Sequence, residues 1–272
     1  MRQALDFGAE SAALDALLRA MPAAFWDRPT GFKGWTPNQI VIHLHYWNRA
    51  QDSALTQPAA FEARVAKMVA AIAEGRARQA EAAEAAEAGE RGQALRALWA
   101  GYAAEMAERW AAVDPKRRLP WVGPEMSSRS AMTARQMETW AHGLAIWDLL
   151  GRERTERDRL SNIVHLGVST FAWSHKVQGL DLPQRMPYLR LTAPSGAIWR
   201  YGAADNPDRI EGRAADFAMV VTQTRNVADT ELQTSGPVGA SWMRTAQCFA
   251  GTRETPPAPG LRRRAEPSAE TA

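Results

Sequence analysis

Glu138 and His142 stand four residues apart in the run Glu138-Thr139-Trp140-Ala141-His142. In a helix that spacing puts the carboxylate and the imidazole on one face, a turn apart. The surrounding residues read as a buried helix, where neither side chain sits easily without a partner. A metal ion is a natural partner, because a carboxylate oxygen and a neutral imidazole nitrogen are both zinc-type ligands. His43 offers a third ligand. In the helix that Thr36 opens, Ile40, His43, Leu44 and Trp47 occupy i, i+3, i+4 and i+7, a core-facing stripe with His43 inside it. His45 lies about 200° around the same helix, on the side of Asn38, Ile42 and Arg49. The two histidines therefore do not serve one site, and His43 is expected to be the inward one.

Each of these residues alone has an ordinary explanation. A histidine in an apolar stripe is usually a hydrogen-bonded core residue, and a Glu/His pair one turn apart is usually just a pair. Together they aim two imidazoles and a carboxylate inward, a set that suits zinc, or ferrous iron in a facial triad. Three protein ligands leave a coordination position open to water or substrate, as catalytic sites do. The remaining candidates are weaker. His165 reads as a packed or hydrogen-bonded residue, or one lining a pocket, His175 as solvent-facing or complementing the helix dipole near a helix end, and Cys248 as a small core residue beside Trp242 and Phe249. No glycine-rich phosphate loop and no GxSxG nucleophile elbow occurs.

Several helices must position the three ligands. Leucines 14, 17 and 18 mark a helix between Leu5 and Met21. Asp27 to Gly34 is a loop, and Thr36 with Pro37 is a helix start that carries His43 towards Leu55. A helix from Pro58 runs into the Ala/Glu/Arg-rich stretch 73–89, polar all round and expected to be solvent-exposed, broken by Gly89 and Gly92. Further helices are expected over Ala94–Val113, over the Glu138/His142 run up to Gly151, and from Glu156 to Gln178, stopped by Gly179. Beyond Pro183 the period changes to alternation. Tyr188–Ala193 and Ala197–Tyr201 read as strands around the turn Pro194-Ser195-Gly196. Asp208–Gly212 and Thr230–Thr234 read as two more strands, with helices over Ala214–Thr224 and Pro237–Phe249. Residues 1–180 are thus a helical metal-binding domain, 181–251 a small α+β domain and 252–272, rich in Pro, Glu, Arg and Ser, a disordered tail.

The 272 residues are 46% apolar and 23% charged with a net charge of +3, the balance of a globular protein. Eleven tryptophans against four tyrosines point to an indole-rich core or pocket. Basic residues are scattered apart from Arg262-Arg263-Arg264, which argues against a nucleic-acid surface. The lone Cys248 excludes an intramolecular disulfide and any CxxC motif. No secretory signal and no run of ~18 apolar residues is visible, so the expectation is a cytoplasmic protein with no membrane partner.

The motifs, in this order, resemble the mycothiol-dependent maleylpyruvate isomerase type of bacterial metal-binding protein, within the DinB-like four-helix superfamily. The resemblance is carried by Gly34-Trp35-Thr36 with Gln39 and His43-Leu44, and by Ser130-Ala131-Met132-Thr133-Ala134-Arg135 leading into Met137-Glu138-Thr139-Trp140-Ala141-His142-Gly143. His165-Leu166-Gly167-Val168, Leu191 to Gly196, and Asp216-Phe217 through Val221-Thr222-Gln223 are similar to an uncharacterised branch of that group. The resemblance implies an α+β protein, a DinB-like four-helix metal-binding bundle followed by a small C-terminal α+β domain. It implies a divalent metal, usually zinc, on His43, Glu138 and His142, and a low-molecular-weight thiol, whether mycothiol, glutathione or another, that adds to a substrate double bond. It also implies an arginine in the C-terminal domain for a dicarboxylate, for which Arg200, Arg225 and Arg244 are candidates. The function expected is a thiol-dependent isomerase or thiol transferase acting on a small unsaturated or electrophilic substrate. The alternative is a non-catalytic metal-containing ligand-binding or sensor module.

Overall fold

The computed structural model describes residues 1–76, 90–121 and 125–263. It divides the chain into two compact units, one running Met1–Ile146 and the other beginning at Trp147.

The first unit is built on α1 (Arg2–Arg19), α2 (Pro37–Thr56), α3 (Pro58–Ala73), α4 (Gly92–Ala111) and α5 (Ser128–Leu149), whose last residues enter the second unit. Thr36 starts α2 with a capping box: its hydroxyl accepts the Gln39 amide while the Gln39 side chain accepts the Thr36 amide, and Pro37 follows at the first helical position. α1 packs along α4. Gly8 permits this approach, since a Cβ there would stand 2.9 Å from the Ala107 Cβ. Phe7 of α1, Met106 and Trp110 of α4, and Ala131 and Met132 of α5 form one buried cluster. α2 also packs on α4. Buried Asp52 accepts hydrogen bonds there from Tyr102 Oη at 2.9 Å, Arg109 Nη2 at 2.9 Å and Trp110 Nε1 at 2.7 Å. A short antiparallel ribbon, β1 (Arg118–Leu119) with β2 (Met126–Ser127), leads into α5.

The helix from Pro58 ends sooner than its composition suggests. α3 stops at Ala73, and Gly75 follows with φ +68°. Residues 77–89, expected to prolong that helix, lie outside the described residues.

In the second unit the expected helix from Glu156 to Gln178 is broken in two, α6 (Ser161–Ser169) and α7 (Phe171–Gln178), with Gly179 left-handed at its end. A sheet of β3 (Tyr188–Thr192), β4 (Ile198–Tyr201), β5 (Arg209–Arg213) and β6 (Gln233–Ser235) has the order β4-β3-β5-β6. The β3–β4 hairpin pairs Leu191 with Trp199, β5 lies parallel to β3 with Ile210 beside Leu189, and β6 is antiparallel to β5. α8 (Ala214–Val221) packs on β3, β5 and α6. Gly167 makes room for it, because a Cβ there would meet Val221 Cγ2 at 2.8 Å. α9 (Pro237–Thr245) adds Trp242, whose ring meets Phe171 and Phe217.

α6 and α7, grouped with the bundle by their sequence, belong to the second unit. Residues 252–263, which composition assigns to a tail, are held by hydrogen bonds of this unit. Gln178 donates to the Glu254 carbonyl, Asn226 to that of Pro257, and the Gly260 amide donates to Asp229. Residues 264–272 lie outside the described residues. Among the described residues no helix is long and apolar enough to cross a membrane.

Candidate metal centre

α2 presents His43 and α5 presents Glu138 and His142 to one another, all within the first unit. Glu138 Oε2 is 3.1 Å from His142 Nε2 and 3.5 Å from His43 Nε2. The three donor atoms lie within 4.8 Å of one another. Nitrogen and oxygen donors sit about 2 Å from zinc, so donors sharing one ion stand roughly 3–4 Å apart, as both Glu138 contacts do. The side chains keep 15% (His43), 24% (Glu138) and 12% (His142) of their exposure, so the cluster is sheltered and still reachable.

Protonation favours the same use. Burial works against the charge on Glu138, but its hydrogen bonds and charge interactions with His142 and His43 outweigh that and hold the carboxyl well below its usual range. Burial, followed by the charges of His43 and Arg135, pulls His142 down against the opposing pull of Glu138. An ionised carboxylate beside a neutral imidazole is the state that a metal ion requires. The donor set, its spacing and its protonation all fit a zinc-type ion.

Aromatic rings hold the imidazoles in place. Trp35 stacks on His142 at 5.6 Å and meets His43 edge-on at 5.3 Å. Phe32 meets His142 edge-on at 4.7 Å, and Trp47 stands 6.3 Å from His43. Phe32 and Trp35 come from the loop before α2, whose Lys33 (φ +50°) and Gly34 (φ +71°) are both left-handed. Thr30 and Trp35 close this loop by a backbone hydrogen bond, and Asn38 ties its Asp27 to the start of α2. The richness in indole was visible in the composition; which indoles face the triad was not. Arg135, buried on α5, was also unforeseen as a structural link: its Nε donates to Asn48 Oδ1 of α2 at 3.0 Å and so joins the two helices that carry the triad.

The other candidates are distributed differently. His45 stands apart from the triad, as its position on α2 requires, and it too is buried. α2 is covered on several sides, and the His45 ring meets Tyr102 edge-on at 5.5 Å. His165 is exposed rather than packed. His175 is buried rather than solvent-facing, its Nδ1 2.9 Å from the Phe171 carbonyl oxygen. Cys248 is buried, just beyond the end of α9. Arg225 is engaged at 2.6 Å with Asp148 inside the second unit, while Arg200 and Arg244 are exposed.

Fold and site define a helical bundle that gathers two histidines and a glutamate from two of its helices, followed by a small mixed sheet unit. The family described as the mycothiol maleylpyruvate isomerase N-terminal domain matches residues 7–147, and the chain belongs to this family. Two uncharacterised proteins of Mycobacterium tuberculosis, one from each of two strains, are 37% identical to it over 246 residues, covering 90% of this chain and 94% of theirs. Among solved structures, the crystal structure of the mycothiol-dependent maleylpyruvate isomerase aligns with a TM-score of 0.57 at 18% identity, covering 86% of this chain and 92% of that one. A histidine-to-alanine mutant of that enzyme aligns at 0.51, also at 18% identity, over 80% and 87%. These likenesses establish a shared fold.

Proposed function

We propose that His43, Glu138 and His142 hold a zinc-type divalent ion and that the protein uses a low-molecular-weight thiol at that site in an isomerase or thiol-transfer reaction on a small unsaturated or electrophilic substrate. The observation that carries this reading is the convergence of one ionised carboxylate and two imidazoles from two helices. Family membership supports the thiol, since the family takes its description from mycothiol maleylpyruvate isomerase. When bound, a divalent cation lowers the pKa of a thiol that ligates it and supplies the reactive thiolate near neutral pH.

The chain's own residues account for the rest. Glu138 supplies negative charge that favours a cation, and the imidazoles add neutral nitrogen donors. Three protein donors would leave an ion held there able to take an exogenous ligand. Trp35 and Phe32 limit the rotation of His142 and keep bulk water from one side of it. In isomerisation the thiol is not consumed: the thiolate adds to one carbon of a conjugated double bond and the π pair moves onto the conjugated carbonyl, the resulting single bond rotates, and return of the pair expels the thiolate and restores the double bond.

The test is optical. Cobalt-substituted protein should change its visible absorption on addition of mycothiol or glutathione, and Glu138→Gln should abolish the change. Metal-loaded protein with no response to any cellular thiol would overturn the thiol-dependent reading and favour a metal-containing binding module.

A further inference from the structure

The rings around the triad do not end at the imidazoles. Trp47, whose ring stands beside His43, lies 5.7 Å from Trp121, and Trp121 stacks on Phe61 of α3 at 6.0 Å with the planes 17° apart. Phe32 and Trp35 flank His142 in the same unit. Phe32, Trp35, Trp47 and Trp121 are each only partly buried, whereas Phe61 beneath them is fully buried. The triad is therefore bordered by π surface that water still reaches, anchored at its far end in the core. Such surface is costly to leave wet and is well suited to a flat apolar partner. A compact dianion would cover little of it and would set its second charge against the negative faces of the indoles. Lys33, exposed with its Nζ 5.9 Å from the centre of the Phe32 ring, supplies a cation at this border and can answer a single negative charge.

We infer that the substrate of this site is a planar unsaturated compound with an aromatic or extended apolar body and at most one carboxylate, held by the Trp35–Trp47–Trp121 surface, rather than a small dicarboxylate. The inference rests on the metal reading for where the reacting end of the substrate lies, and on the rings alone for which body is accepted.

Two probes share a conjugated double bond and a carboxylate but differ in body: cinnamate is aromatic and singly charged, maleate compact and doubly charged. Calorimetric titration of the zinc-loaded full-length chain should show cinnamate binding at least tenfold tighter than maleate. Trp121→Ala, which removes a ring in contact with no ligand of the triad, should weaken cinnamate about tenfold and leave zinc content and maleate affinity unchanged. Trp121→Leu, which keeps an apolar side chain there, provides a second variant should Trp121→Ala not fold. Maleate binding as tightly as cinnamate, or cinnamate affinity unaltered in a folded variant, would overturn the inference. A chain found to hold no zinc sinks the metal reading instead, and the same titration of the metal-free protein then decides the preference for an aromatic body.

Discussion

Glu138 stands between the two imidazoles, and in the proposed site it would carry the charge offered to a cation. Glu138→Gln keeps the shape and removes the charge, so zinc affinity should fall at least a hundredfold in a chelator competition while the far-ultraviolet spectrum stays unchanged. His45 illustrates a different consequence of burial. Desolvation, helped by the charges of Arg49 and Arg64, lowers it to about 4. The unfolded chain takes up that proton near pH 6.5. Above this pH both states are neutral there, and the full contribution to stability is present. As the pH falls from about 6.5 towards 4, the unfolded state binds a proton that the fold refuses, and stability declines. Between pH 7 and pH 5 wild type should lose about 2 kcal/mol more than His45→Gln, measured by urea denaturation. Equal losses would show that His45 does not set this slope.

Elements differ in how far their own sequence describes them. The start of α2 is local chemistry, a threonine cap answered by Gln39 with Pro37 between, and it reads directly from four residues. The face argument worked for α5, where Glu138 and His142 need only helical spacing. On α2 it separates His43 from His45 but does not tell that His45 is buried too, because α2 is packed against α3, α4 and α5 and has buried residues nearly all round. One apolar stripe does not describe such a helix. The Arg135–Asn48 link needs two elements 87 residues apart, and no spacing rule reaches it. Asn48→Ala removes an acceptor from a buried guanidinium. It should cost about 2 kcal/mol of stability and, by loosening α2 against α5, lower zinc affinity about tenfold. Gly167→Ala is the contrasting case. Its Cβ would crowd Val221 and Phe217, so it should destabilise by about 1–3 kcal/mol with zinc affinity unchanged.

At the scale of the molecule, alternation located the strands of the second unit to within a few residues and turn residues placed its hairpin, so its mixed α+β character was legible. The parallel pairing of β3 with β5 was not, because the chain passes from β4 across to the other edge of β3 and only tertiary packing selects that edge. The anchoring of residues 252–263 was hidden for a related reason: their composition is polar, and what holds them are hydrogen bonds donated by Gln178 and Asn226 and one accepted by Asp229. Family membership covers the triad-bearing unit, and the 37% identical relatives span both units. The central claim is that His43, Glu138 and His142 make one metal site. Elemental analysis of protein purified without chelators tests it most directly. One zinc-type ion per wild-type chain, lost in folded His43→Ala, Glu138→Ala and His142→Ala, is the expected result. Wild-type protein that stays metal-free after dialysis against zinc, or variants that keep the full complement, would contradict it.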